Sequence, residues 1–292
     1  MTASTHSATL VIGVDSLIGG ETARAYAAAG VRVFGTTRRT DSVGGQRLHL
    51  DLADTERFVC PSEVDVAIIA AALTPYSRCE TDPNAAEVNI LGPARLAARL
   101  AAQGVFCVFL SSNTVFGGER PFCGEEEPLS PAFPYAVQKA QAEHALGEAL
   151  DENPQSYCIV RLTKVLAPSV SPLPDWHRRL AAGDAIQPFS DLVFAPMSRQ
   201  YVAASLRRIA SARVSGRFHL SGEDNVSYAE FAQSLVVAMG LPAERVQPTT
   251  AEAAGVKTPF QPRFSALAMP RTGRELGITA QPLDAVIADL LG

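Results

Sequence analysis

From Ala8 to Ser111, short apolar runs rich in β-branched residues alternate with alanine- and leucine-rich stretches, and this limits the possible architectures more than any other feature. Residues 8–14 read as a strand, Leu17 to Ala29 as a helix closed by Gly30, and Val31 to Thr36 as a second strand. Arg47 to Leu50 and Val64 to Ala72 follow as strands, then a long helix from Asp82 to Gln103 and a strand from Val105 to Ser111. Residues 133–150 continue as a helix and Ser156 to Thr163 as a strand. Such alternation implies a parallel sheet, and right-handed crossovers wind helices onto both of its faces. The expectation is an α/β doubly wound parallel sheet, a Rossmann domain over residues 1–164. Prolines at 168, 172 and 174 then break the pattern, and 165–292 reads mostly as a smaller C-terminal substrate lobe. Within it, residues 200–221 again read as helix then strand and are expected to return to the sheet.

Bulk properties exclude several classes. With 292 residues, 47% hydrophobic and 19% charged, the chain has ample material for a core, which argues against disorder. A net charge of −5 and scattered cations make nucleic acid a poor partner. No apolar run is long enough to span a bilayer, and Met1 to Ser7 lacks the apolar segment of a secretory signal, so a soluble cytoplasmic protein is expected. Five widely spaced cysteines without a Cys-x-x-Cys pair read as reduced structural thiols, and five dispersed histidines give no metal-ligand spacing. No metal is expected.

Gly13-Val14-Asp15-Ser16-Leu17-Ile18-Gly19-Gly20 lies where the first strand turns into the first helix. A turn there delivers a pyrophosphate to the helix N-terminus, where backbone N–H groups and the helix dipole hold it. Gly13, Asp15, Ser16, Leu17, Ile18 and Gly19 are the candidate contacts. Ser16 replaces a middle glycine, so its side chain either pushes a cofactor away or adds a hydroxyl to a phosphate oxygen. After the second strand the chain reads Thr36-Thr37-Arg38-Arg39 rather than an acidic residue, which favours a 2′-phosphate and hence NADP over NAD. Asp51, in Leu50-Asp51-Leu52, either reaches the adenine edge or caps the following helix.

Tyr135 and Lys139 stand four residues apart in a predicted helix, one turn apart on the same face. With six tyrosines and three lysines in the chain, chance supplies only about 0.06 such pairs, so the spacing is a motif hypothesis rather than noise. Ser111-Ser112 ends the preceding strand at the carboxyl edge of the sheet, the usual ligand crevice of this architecture.

With these motifs the chain resembles an extended short-chain dehydrogenase/reductase, from the family of nucleotide-sugar reductases, epimerases and dehydratases. The resemblance rests on the glycine turn, Ala70-Ala71-Ala72 at the end of the fourth strand, and Val88-Asn89. It rests further on Ser111 to Gly117, and on Pro134-Tyr135 through Lys139 and Glu143. The Ser-Ser-x-x-Val-Phe-Gly segment is most similar to the dTDP-4-dehydrorhamnose reductase branch. The tail is similar too, although Asp191-Leu192 and Ala195-Pro196-Met197 depart from that branch's pairs.

The resemblance implies an NADP(H)-dependent reductase acting on a keto group of a nucleotide-activated sugar, and a homodimer. It implies Tyr135 as general acid, Lys139 as the cation that lowers the phenol and holds the nicotinamide ribose, and Ser112 as the hydroxyl orienting the carbonyl. Hydride arriving at a carbonyl carbon leaves alkoxide charge on oxygen, which a positioned acid must neutralise. Ala70, Ala71, Ala72, Leu52 and Asn89 join the cofactor candidates, Asn89 chiefly in a structural role. Thr74, Asn113, Thr114, Phe116, Trp176 and Arg199 are candidates for the sugar and nucleotide, by stacking or by pairing with phosphate. Arg161, just inside the end of the sixth strand, serves either a buried ion pair or a substrate. Asn113 and Thr114 stand where a dehydratase needs carboxylates, which argues against dehydration. Epimerisation by transient oxidation, and a non-catalytic regulatory protein that binds NADP(H) or a sugar nucleotide, remain as alternatives.

Overall fold

The computed structural model describes residues 8–292, and Met1 to Ser7, the polar lead, lie outside the described residues. Seven strands form one fully parallel sheet: β1 (Ala8–Ile12), β2 (Val33–Thr37), β3 (Arg47–His49), β4 (Val64–Ile69), β5 (Phe106–Ser112), β6 (Tyr157–Leu162) and β10 (Gly216–Leu220). Their spatial order is β10-β6-β5-β4-β1-β2-β3. The chain runs outward from β1 to β3, then returns to place β4 on the other side of β1. That reversal opens a crevice at the carboxyl ends of β1 and β4, where ligands bind in open α/β sheets.

Strand alternation decides which side chains serve which face. Leu10, Ile12, Ala67, Ile69, Cys107 and Phe109 pack with Leu96 and Leu100 of α3 (Gly92–Ala101) and Leu146 of α4 (Pro134–Ala149). Val66, Ile68, Val108, Leu110 and Val160 face the other way, onto Tyr26 of α1 (Leu17–Ala28) and Val202, Leu206 and Ile209 of α6 (Arg199–Ala212). The sheet is therefore covered on both sides, which suits its nearly continuous apolar strands. Residues 199–220 form α6 and β10, and β10 pairs with β6 from Gly216↔Cys158 to Leu220↔Leu162.

A separate apolar cluster holds the C-terminal lobe together. It joins Trp176 and Leu180 of α5 (Leu173–Ala181), Phe194 of β8 (Val193–Phe194), Phe231 and Leu235 of α7 (Tyr228–Ala238), and Val286 and Ile287 of α9 (Leu283–Leu291). Two further short strand pairs are β11 (Val226–Ser227) with β8 and β7 (Lys164–Leu166) with β9 (Pro196–Ser198), whereas α8 (Pro270–Leu276) packs its Leu276 with α6 and β10 on the sheet face. Ser227 starts α7 with a capping box closed by Glu230. All five cysteines are buried and free of disulfides. Among the described residues no helix is long and apolar enough to cross a membrane.

The expected helix over 82–103 differs in detail. A short α2 (Tyr76–Thr81) precedes it, and the helix proper opens into a π-helical turn at Glu87–Leu91 before continuing as α3. The cause is local: Pro93 has no N–H for the Asn89 carbonyl, and Gly92 N–H instead reaches back five residues to Glu87.

Candidate active site

Gly13 leaves β1 with φ +89°, and a Cβ there would come within 2.8 Å of Ala71 at the end of β4. A Cβ on Gly19 would overlap the Gly13 carbonyl oxygen. The two glycines thus let the β1 turn close against its neighbours while α1 begins. Ser16 is the N-cap of α1: its hydroxyl donates to Gly13 O (2.8 Å) and accepts from Gly19 N–H (3.0 Å). The hydroxyl thus serves the turn itself. Leu17 and Ile18, the first two helical residues, keep N–H groups without intrahelical acceptors, the donors an anion seeks at such an end.

The turn opens onto a cleft of about 650 Å³ that runs along the carboxyl edge of the sheet. Of the candidate cofactor residues, Gly13, Asp15, Ser16, Arg38, Arg39, Asp51, Leu52, Ala71 and Ala72 line it. Thr36, Thr37, Ala53, Leu73, Arg78, Asp82, Asn84 and Val88 line it too and were not foreseen. Asp15 accepts a hydrogen bond from Thr37 Oγ1 (2.6 Å) and pairs with Arg47, so its charge is matched within the wall. Asp51 accepts from Ala53 N–H (3.0 Å) within a turn, and among the described residues no helix follows for it to cap before β4; it remains in the cleft wall.

Other expected cofactor residues stand behind the cleft. Gly19 lies under the turn, Ile18 packs on the apolar face, and Ala70 N–H donates to Ile12 O (3.0 Å). Asn89 is buried and grips the loop after β4, accepting from Leu73 N–H (2.8 Å) and donating to Leu73 O (3.0 Å) and Gln138 Oε1 (2.7 Å). It shapes the cleft wall without entering it. The residues fit a dinucleotide: a glycine cradle that admits no side chain, free helix-end N–H groups, and two arginines at the far end.

β5 brings Ser112 to the carboxyl edge, and α4 brings Tyr135 and Lys139 beside it. Ser112 accepts from Thr114 N–H (3.2 Å) and Thr114 Oγ1 (3.0 Å), and it lies near enough to the Tyr135 phenol to favour its charged form. Burial pushes the phenol well above its ordinary range, with Tyr76 and Cys79 adding to the rise and Ser112 opposing it. Lys139 follows Tyr135 by one turn of α4 and is buried. Its ammonium donates to Leu110 O (2.6 Å) and lies 4.3 Å over the Phe109 ring. Burial brings it down to about 8, against the opposing charge of Glu143.

Glu143, one turn beyond Lys139, joins a buried ionic network. Arg161 forks onto both of its oxygens, at 2.7 Å from Nη2 to Oε2 and 3.0 Å from Nε to Oε1, and Ser111 donates at 2.5 Å. Arg161 also donates to Glu125 O (2.9 Å). His219 lies against it and is pushed down to about 3 by burial, then by the nearby guanidinium.

Rings close in around Tyr135. Tyr76 lies 5.5 Å from it and 4.8 Å from Phe133, and Phe260 lies 5.2 Å from Phe133. Tyr76 and Phe260 belong to segments with no periodicity, so no sequence signal pointed to them.

The expected substrate residues divide. Thr74 is exposed just beyond Leu73 of the cleft wall, and Thr114 supports Ser112. Asn113 donates to Ser265 O and Oγ (both 3.0 Å), which ties β5 to the C-terminal lobe. Three expectations need correction. Trp176 is 5% exposed inside the lobe core against Tyr228 and Phe231, so its ring has no face for a base. Phe116 is buried beneath Arg161 and His219. Arg199 pairs with Glu21 of α1 (3.2 Å), an inter-helix contact rather than a free phosphate ligand.

The chain matches the family described as RmlD substrate binding domain over residues 7–291. It is 29% identical over 293 residues to a probable low-salt glycan biosynthesis reductase, Agl14, of Haloferax volcanii, covering 96% of each chain. It is 26% identical over 223 residues to methionine adenosyltransferase 2 subunit beta of Rattus norvegicus, covering 69% of this chain and 62% of that one. The dTDP-4-dehydrorhamnose reductase of Bacillus anthracis, solved in complex with NADP, superposes with a TM-score of 0.81 at 17% identity, over 98% of this chain and 99% of the other. That last likeness is one of fold.

Proposed function

The chain belongs to the RmlD substrate binding domain family, a branch of the extended short-chain dehydrogenases/reductases, and from that premise we propose that it is an NADP(H)-dependent reductase of a keto group on a nucleotide-activated sugar. The observation that carries the reading is Ser112 at the carboxyl edge of the sheet beside the Tyr135 phenol, with Lys139 one turn along the same helix. The likeness to a glycan biosynthesis reductase over nearly the whole chain supports it. Residues 165–292, apart from α6 and β10, are read as supplying the substrate side.

When bound, NADPH supplies the hydride that reduces the carbonyl carbon. Gly13, Gly19 and the first N–H groups of α1 would hold its pyrophosphate, and Arg38 and Arg39 would receive its 2′-phosphate. Ser112 orients the carbonyl oxygen toward Tyr135, and the phenol gives its proton to that oxygen as charge develops there. A phenol kept protonated by burial suits an acid. Lys139, fixed by Leu110, stabilises the phenolate left behind. Tyr76, Phe133 and Phe260 form apolar walls that keep water from the reacting carbonyl.

The test is fluorescence titration of NADPH with wild type and Tyr135→Phe, followed by turnover of dTDP-4-dehydrorhamnose and other keto-sugar nucleotides. Binding in both with turnover only in wild type is expected; a Tyr135→Phe rate within twofold of wild type would end the reading. Two other readings are separated by the same measurements. An epimerase returns the hydride and leaves no net oxidation of NADPH. A binding protein without catalysis, which the likeness to a transferase subunit favours, binds NADPH without turnover across the whole panel.

A further inference from the structure

The cleft is lined by cations from both sides of β1. Arg38 follows β2 and Arg78 belongs to α2, which follows β4; β2 and β4 are the two neighbours of β1, and both arginines line the same space with Asp82 and Asn84. Arg78 Nη2 is 2.6 Å from Asp82 Oδ2, and Asn84 N–H donates to Asp82 Oδ1 at 3.0 Å. Leu52, Ala53 and Val88 add apolar surface to this cleft, of the kind that suits a flat purine.

We propose that Arg78 and Arg38 form a clasp for the 2′-phosphate of the adenosine ribose, and that Asp82 is the internal counter-ion holding the clasp ready. The inference rests on the NADP reading and names the residues that decide it. A carboxylate attended by guanidinium groups marks where a phosphate, with more charge and three acceptor oxygens, gains more from the same donors. Asp82 is held below the usual carboxylate range, first by the Asn84 N–H, then by Arg78, with the charge of Arg38 adding. The Arg78–Asp82 pair is open to solvent, with Arg78 56% exposed, and such pairs are weak. Exchanging the carboxylate for phosphate therefore costs the fold little. NADH offers a neutral hydroxyl at the same place, so the clasp discriminates between the coenzymes. Arg78 arrives from an element 40 residues beyond Arg38, which is why the arginine pair after β2 alone did not reveal it.

The experiment titrates NADPH and NADH separately into wild type, Arg78→Ala, Arg78→Lys and Asp82→Asn, with circular dichroism as the check on folding. Arg78→Ala is expected to weaken NADPH at least fivefold while NADH changes less than twofold. Arg78→Lys should keep most of the NADPH affinity, and Asp82→Asn should tighten NADPH at least twofold. Equal losses for both coenzymes would put Arg78 on the shared pyrophosphate and overturn the assignment, as would no loss in Arg78→Ala or weaker NADPH binding in Asp82→Asn. If wild type binds neither coenzyme, the reductase reading itself fails, an outcome distinct from failure of the clasp.

Discussion

The Lys139 ammonium donates to the Leu110 carbonyl at 2.6 Å, which fastens the helix that carries Tyr135 to the strand that carries Ser112. The bond fixes the relative position of acid and orienting hydroxyl, and it does so with a charge placed in the interior.

That placement has a pH signature. Lys139 titrates near 8 rather than 10.5, so turnover that depends on the ammonium declines as pH rises past about 8. For stability the sign is opposite to that of an ordinary surface lysine. Between about 8 and 10.5 the unfolded chain holds the proton that the folded chain has lost, so the contribution of this residue rises with pH. Below about 8 the buried charge costs on the order of 3 kcal/mol. Urea unfolding of wild type and Lys139→Met from pH 7 to 10 should show their difference moving toward wild type by up to that amount. A difference independent of pH would refute it.

The Arg161–Glu143 pair is buried on both sides, at 2% and 3% side-chain exposure. Arg161→Met leaves Glu143 without its cation and is expected to cost about 3–5 kcal/mol. Adding Glu143→Leu should recover part of that loss, because the carboxylate that Arg161 had matched is then gone. Denaturant midpoints for the single and double variants measure the recovery; a double variant weaker than the single one by a further 2 kcal/mol or more contradicts the account.

Ser16 predicts a separation of stability from binding. Its hydroxyl is engaged by Gly13 and Gly19, so Ser16→Ala should lose about 1 kcal/mol of stability and keep NADPH affinity within twofold. Gly19→Ala should abolish NADPH binding, since the added carbon meets the Gly13 carbonyl. A large loss of NADPH affinity in Ser16→Ala would return the hydroxyl to the phosphate.

Trp176 is expected to matter for the lobe and not for the coenzyme. Trp176→Ala removes a ring packed among Tyr228, Phe231 and their neighbours, a change worth about 3–5 kcal/mol. Calorimetry should show a lower Tm with an unaltered NADPH dissociation constant; a protein of unchanged Tm with impaired binding would place the ring in the site after all.

Local composition carried the first half of the fold. β-Branched runs ended by glycine specify strands wherever they stand, and a tyrosine four residues before a lysine shares a helix face in any protein. That is why β1, α1, β4, β5 and α4, together with Ser112, Tyr135 and Lys139, were legible along the chain. Trp176 misled because an aromatic residue in an irregular segment carries no mark of which way it faces. Arg199 misled because its partner, Glu21, is 178 residues away.

The amino-acid order by itself determined the sheet, its parallel sense and the residues placed at its carboxyl edge, since each follows from interactions within a few residues. Tertiary structure alone decided what those residues touch. It tied Lys139 to Leu110, set Asn89 behind the cleft wall, and brought Arg78 into the same cleft as Arg38. Burial and distance between remote segments set charge, hydrogen bonding and access, and neither quantity is a property of a local stretch of chain.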